Sequence, residues 1–217
     1  RIGCTTEVCV FKVTPQVQGT ALKTLVNIFT YEAEDFEVQA INIKKLYYKY
    51  KARAAAIDAN GLGVGLIDFL TKAQIDPETG DELPPFGVEG GTSDDAVEPY
   101  KKIKGPGVEE NALYLIKANL PINTEAHTYV QTQLASGKIK FLIDEGQAKV
   151  KLMSTKMGQN MDGNKRADYL QPFTLTTILR EQMLNLVEEN EGVNIILKQS
   201  SKSIKKDKFS AFEYGLY

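Results

Sequence analysis

Two early runs, TEVCVFKV (Thr6–Val13) and LKTLVNIFT (Leu22–Thr30), are rich in β-branched residues and predict two strands, with Gln16–Gly19 as the turn of a hairpin. Phe36, Ala40, Ile43, Tyr47 and Tyr50 then recur at helical spacing and make one apolar stripe. Arg53–Ile57 is short and almost continuously apolar, which predicts a strand buried on both faces. A helix follows over Gly63–Ala73. Ile75–Gly107 holds most of the prolines and glycines and predicts loops with one short strand. Ala112–Leu120 suits strand or helix. Asn123–Leu134 predicts a helix, and Gly137–Asp144 a strand. The polar segment Ala148–Gly163, with three methionines, predicts a mobile stretch or a hairpin. Leu175, Ile178, Leu179, Met183, Leu186 and Val187 share a face and predict a helix over Phe173–Glu189. Val193–Gln199 predicts a strand. The last helix starts near Ser203, with Phe209, Phe212 and Leu216 inward. Early antiparallel strands followed by strand–helix alternation indicate an α/β fold with a mixed sheet and helices on both faces.

The 217 residues allow one large domain or two small ones. Hydrophobic residues make up 42% and charged residues 25%, with a formal net charge of −2, as expected of an ordinary globular protein. No apolar run approaches the ~20 residues of a membrane helix. The first residues read as a strand and the last as a helix still in progress, so a domain from a longer polypeptide is expected. Cys4 and Cys9 would point to opposite faces of a strand, which disfavours a disulfide and suits a reducing compartment. One histidine, His127, excludes a site that needs two and makes zinc improbable; a surface or capping role is expected for it. Any metal would be hard and carboxylate-bound: Mg²⁺, Mn²⁺ or Ca²⁺.

The glycine-dense NGLGVGLID fails the G-x-G-x-x-G spacing in both frames, because Leu66 or Asp68 falls where the third glycine belongs. Asp58 would also stand where a pyrophosphate must go. No G-x-x-x-x-G-K-[ST] sequence exists, and the acidic loop from Asp76 fails the calcium-loop pattern. What remains is a carboxylate, Asp58, at the carboxyl end of a predicted strand, the position where open α/β sheets place ligands. The glycines after it permit close approach of another backbone or a bulky ligand.

A second candidate is Asp207, which opens a helix after a strand. Lys198, Lys202, Lys205, Lys206 and Lys208 flank it within eleven residues. A carboxylate among lysines suits a divalent cation together with a polyanion. The competing readings are structural: Asp58 as a helix cap, Asp207 as a first-turn acid complementing a helix dipole, and the lysines as a solvated face.

IDANGLGVGLIDFL, Pro121-Ile122-Asn123-Thr124, SGKIKFLID, PFTLTTILREQMLNL and KKDKFSAFEYGL stand in this order and span almost the whole chain. They resemble the nuclease domain of the large terminase subunit of tailed bacteriophages, the DNA-packaging motor, to which the herpesvirus terminase nuclease is related. The resemblance implies a ribonuclease H-like fold and a single nuclease domain over residues 1–217, the carboxyl-terminal part of a chain whose ATPase half lies elsewhere. It implies cleavage of double-stranded viral DNA concatemers with little sequence specificity, by two Mg²⁺ or Mn²⁺ ions roughly 3.5–4 Å apart. Asp58 matches the family's second acid and Asp207 its last, as catalytic and metal-binding residues. Lys202, Lys205, Lys206 and Lys208 would hold the DNA backbone. Portal and small terminase subunit would be partners in the full motor, in the host cytoplasm and transiently at the procapsid. The family's first acid should follow the first strand. Arg1-Ile2-Gly3-Cys4 looks like that strand, yet Thr5-Thr6-Glu7 follows without an aspartate: either the site is incomplete or, the favoured reading, a loop near Cys4 is missing from the sequence. Glu7 is a weak substitute. The resemblance also suggests a segment that gates access, for which Met153–Gly163 is the candidate. Two alternatives stand beside the nuclease: a non-catalytic ribonuclease H-like module that docks DNA or a partner, and a resolvase-like nuclease of the same fold.

Overall fold

A computed structural model describes residues 5–32 and 34–217. In chain order its elements are β1 (Thr5–Thr14), β2 (Leu22–Glu32), α1 (Phe36–Tyr50), β3 (Ala55–Asp58), α2 (Gly63–Leu70), β4 (Gln74–Ile75), β5 (Glu82–Leu83), β6 (Phe86–Gly91) and α3 (Asp94–Val97). There follow β7 (Glu109–Ile116), α4 (Leu120–Ala135), β8 (Ile139–Lys140), α5 (Glu145–Met153), α6 (Lys156–Asn160), α7 (Gly163–Leu184), β9 (Leu186–Glu191), β10 (Asn194–Gln199) and α8 (Asp207–Leu216). The protein is a mixed α/β structure. The described chain forms two compact units, one of Tyr31–Asn123 and one of Thr5–Thr30 with Thr124–Tyr217. The strand expected at Arg1–Cys4, and Cys4 with it, lies outside the described residues; Cys9 is a free thiol. No helix among the described residues is long and apolar enough to cross a membrane.

In the unit Tyr31–Asn123 a parallel sheet runs in the order β3-β7-β6. Its central strand is β7, where Ala112, Leu113, Leu115 and Ile116 are all fully buried. The signature of a strand covered on both faces therefore belongs to β7. In β3, expected to be that strand, exposure alternates, with Ala56 and Asp58 exposed, so one of its faces is left uncovered. Phe86-Gly-Val-Glu-Gly-Gly, inside the region expected to be mostly loop, forms β6. Its glycines hide the strand from a propensity reading, yet packing requires one of them: a Cβ at Gly91 would lie 2.4 Å from the Leu115 carbonyl oxygen. The register slips between Phe86↔Glu109 and Val88↔Leu113. The extra β7 residues include Asn111 at φ 59, a backbone angle that Asn tolerates better than most side chains.

Helix α1 buries Ala40, Ile43 and Tyr47 as its stripe predicts, and Lys44 as well. The Lys44 ammonium donates to the Lys72 carbonyl at 2.6 Å and lies 5.3 Å from the centre of the Phe86 ring.

In the other unit β1, β2 and β8 form a sheet in that order, with β2 and β8 parallel. The predicted hairpin connection, residues 15–21, joins the neighbours β1 and β2. Leu25, Ile28, Val130, Leu179, Phe209, Phe212 and Leu216 form the core, so the inward stripe read for the last helix is the observed one. The strand expected over Gly137–Asp144 shrinks to two residues. The helix expected over Phe173–Glu189 starts at Gly163 and stops at Leu184. Leu186 and Val187 belong instead to β9, which pairs antiparallel with β10. The segment Ala148–Gly163 is largely helical rather than a hairpin. Asp144, Thr155 and Asp162 each accept a hydrogen bond from the backbone N–H three residues on, and so begin α5, α6 and α7. Ala148, Leu152 and Leu170 form a small second core beneath them.

Burial pushes the Lys44 ammonium down from 10.5 to about 8. Between those values the folded state holds fewer protons than the unfolded chain, so this side chain adds stability as pH rises through the window. Urea unfolding of wild type and Lys44→Met at pH 8 and pH 10.5 is expected to show a gain specific to wild type, at most roughly 3 kcal/mol.

Candidate active site

Asp58 is the last residue of β3, paired in register with Ile116 of β7. Its Oδ1 accepts the Asn60 N–H at 2.9 Å. Ala59 N–H is bound to the Ile116 carbonyl and the Asn60 amide donates to Ala118, so the turn after Asp58 is fastened to the end of β7. The glycines that follow have three separate reasons. Gly61 has φ +52 in open space, so it makes the turn. At Gly63 a Cβ would lie 1.8 Å from the Asp58 carbonyl oxygen, so α2 begins directly against the strand end. At Gly65 a Cβ would lie 2.6 Å from the Phe36 ring. The expected close approach of backbone is thus real, and the approaching backbone is the chain's own.

Asp58 is not a helix cap. The cap of α2 is Leu62, with no side-chain hydrogen bond. Desolvation by its surroundings raises the Asp58 carboxyl above its ordinary value, and the only opposing contribution is hydrogen bonding from Asn60. No cation among the described residues offsets that loss of solvent. Such a carboxylate, hydrogen-bonded among the described residues by Asn60 alone, suits a hard divalent cation.

Asp207 is the first residue of α8. Lys206 caps that helix without a side-chain hydrogen bond, so Asp207 supplies the acid of the first turn, as the dipole reading anticipates. Its Oδ2 accepts from the Thr5 hydroxyl at 3.3 Å. Lys202, Lys205 and Lys206 are exposed, and none forms an ion pair among the described residues. Lys208 differs. It is buried, and its ammonium pairs with Glu7 at 2.7 Å, so it is removed from the exposed set expected to meet DNA. Lys198 is tied to Glu189.

Glu7 fails as a metal acid for the same reason: Oε1 is held by Lys208 and Oε2 accepts from Thr30 at 2.7 Å. His127, expected at the surface or at a cap, is buried, and its Nδ1 contacts the Glu213 carboxylate. Burial raises the Glu213 carboxyl, with His127 opposing the shift. Thr5, Glu7 and Glu213 carried no motif. The period-two spacing of Thr5 and Glu7 on a strand was the one available signal.

Asp58 lies in the unit Tyr31–Asn123 and Asp207 in the other. Among the described residues no group of three or more His, Cys, Asp or Glu is arranged to hold a metal. Each aspartate offers hard carboxylate oxygen, the donor type that Mg²⁺ and Mn²⁺ take. No family model, curated protein or solved structure matches the chain.

Because a Cβ at residue 63 meets backbone, Gly63→Ala should lose about 1–3 kcal/mol in urea unfolding, while Gly61→Asn, in open space at positive φ, should stay close to wild type. A carboxyl raised in the folded state holds its proton above the unfolded chain's value, so its ionisation lowers stability as pH climbs from 3.8 toward neutrality. Asp58→Asn, which keeps an oxygen for the Asn60 N–H, should leave Tm at pH 7 unchanged or raise it by about 1–2 °C, and the difference should vanish near pH 3.

Proposed function

We propose that the chain is a metal-dependent endonuclease domain of the large-terminase type, with a ribonuclease H-like arrangement, acting on double-stranded DNA. The observation that carries this reading is the position of Asp58, a partly desolvated carboxylate with no cation partner among the described residues, at the carboxyl end of a strand in a parallel sheet. Asp207 and the exposed Lys202, Lys205 and Lys206 support it from the other unit. Asp58 and Asp207 would hold Mg²⁺ or Mn²⁺, with water and phosphate oxygens completing the coordination. Bound there, the ions would supply the Lewis acidity for phosphodiester hydrolysis. The chain's own part is narrower. Asp58 is held by hydrogen bonds from Asn60, and Asp207 with one oxygen toward Thr5. The three lysines neutralise backbone phosphates without reading bases, so cutting is largely independent of sequence.

A second reading, a module that docks DNA without cutting it, is favoured by the lack of a three-acid group among the described residues. In a plasmid assay with Mn²⁺ the wild-type domain is expected to cut, and Asp58→Ala and Asp207→Ala to retain less than about 1% of its rate. Full activity in both variants removes the nuclease reading. Salt-sensitive DNA binding by a wild type that never cuts selects the docking module.

A further inference from the structure

Strand β1 presents Thr5, Glu7, Cys9 and Phe11 on one face, two residues apart, and that face meets α8. The Thr5 hydroxyl donates to Asp207. The Glu7 carboxylate pairs with Lys208. The Cys9 thiol lies 3.9 Å from the Lys208 carbonyl. The Phe11 ring sits 5.5 Å from that of Phe212 and would be 2.8 Å from a Cβ at Gly215. A strand of period two thus follows the helix from its first turn to its last.

Lys208 and Glu7 are less than a tenth exposed at their side chains. Such a pair loses in desolvation much of what it gains in attraction, and an apolar pair of similar volume is often as stable. Its effect here is on position. Successive helix residues differ by about 100° around the axis, so drawing Lys208 inward turns Asp207 outward. Thr30, on β2, fixes the Glu7 carboxylate from its other side. The first turn has one more anchor: the Phe209 N–H, one of the amides a helix start leaves without a partner, donates to Gln182 Oε1 of α7 at 3.1 Å.

We propose that Thr5 and the Glu7–Lys208 pair are positioning residues for Asp207, holding its carboxylate exposed and singly tethered at the start of α8. This rests on the nuclease reading for its functional meaning, while the positioning itself is measurable without cleavage. A helix docked only by Phe209, Phe212 and Leu216 would keep its core while its first turn rotated or frayed. The polar anchors remove that freedom at the one turn that bears the acid.

The test uses the whole chain and four variants: Thr5→Val, Lys208→Met, the double variant Glu7→Met/Lys208→Met, and the exchanged pair Glu7→Lys/Lys208→Glu. Lys208→Met alone strands a buried carboxylate and is expected to unfold at lower temperature. The double variant removes both charges and should fold, with Tm within about 5 °C of wild type. Two readouts follow: the ¹³C shift of the Asp207 carboxyl with amide exchange at residues 207–210, and plasmid cleavage resolved into kcat and KM. The expected result is a displaced Asp207 resonance and faster exchange in Thr5→Val and in the double variant. Cleavage should show kcat down about 10–100-fold with KM for DNA unchanged, and partial recovery of both readouts in the exchanged pair. A double variant with the wild-type Asp207 resonance and wild-type exchange overturns the proposal, whatever its activity. A wild type that does not cut overturns the nuclease reading alone, and the resonance and exchange data still decide the positioning.

Discussion

A helix can start against the end of a strand only if no atom fills the space between them. At Gly63 that space is absent: any side chain would collide with the carbonyl of Asp58. The strand end, the turn at Gly61 and the start of α2 are therefore one rigid piece, and the Asp58 carboxylate inherits its direction from that piece. The turn is fastened to β7 by the Ala59 and Asn60 hydrogen bonds, so the acid is fixed to the buried centre of its sheet.

Asp207 is fixed by the opposite means. Nothing local holds it, since Lys206 gives α8 no side-chain cap. Its direction comes from a strand about two hundred positions earlier in the chain, through a hydroxyl, a buried ion pair and an aromatic contact. Local steric exclusion and long-range polar anchoring reach related outcomes: one aspartate fixed at a strand end just before α2, the other fixed in the first turn of α8. The two differ in robustness. Exclusion by backbone penalises every side chain at that position, whereas a buried pair tolerates joint replacement and suffers when one partner is lost.

Both units also keep an ionisable pair or group in an apolar setting: Lys44 against Phe86 in one, His127 with Glu213 beside Phe209 in the other. Buried charge of this kind makes stability depend on pH well away from any site of chemistry. In Lys44 the dependence arises from desolvation, since the groups that meet it, the Lys72 carbonyl and the Phe86 ring, are neutral.

Sequence by itself determined what depends on near neighbours. The stripe of α1, the inward face of α8, the strand–turn–glycine–helix succession at Asp58 and the two early strands are all periodicities or short-range steric demands. The caps at Asp144, Thr155 and Asp162 are equally local, but among many polar residues they form no periodic pattern. Tertiary structure alone decided that Phe86–Gly91 is a strand, since its glycines carry no propensity and Gly91 is required by the carbonyl of Leu115 on the neighbouring strand. It also decided that β7 rather than β3 is the covered strand of its sheet, and that Lys208 belongs to Glu7 and not to the exposed lysines. A pairing across some two hundred residues leaves no pattern in either segment, because each partner satisfies only the other and the fold supplies the meeting.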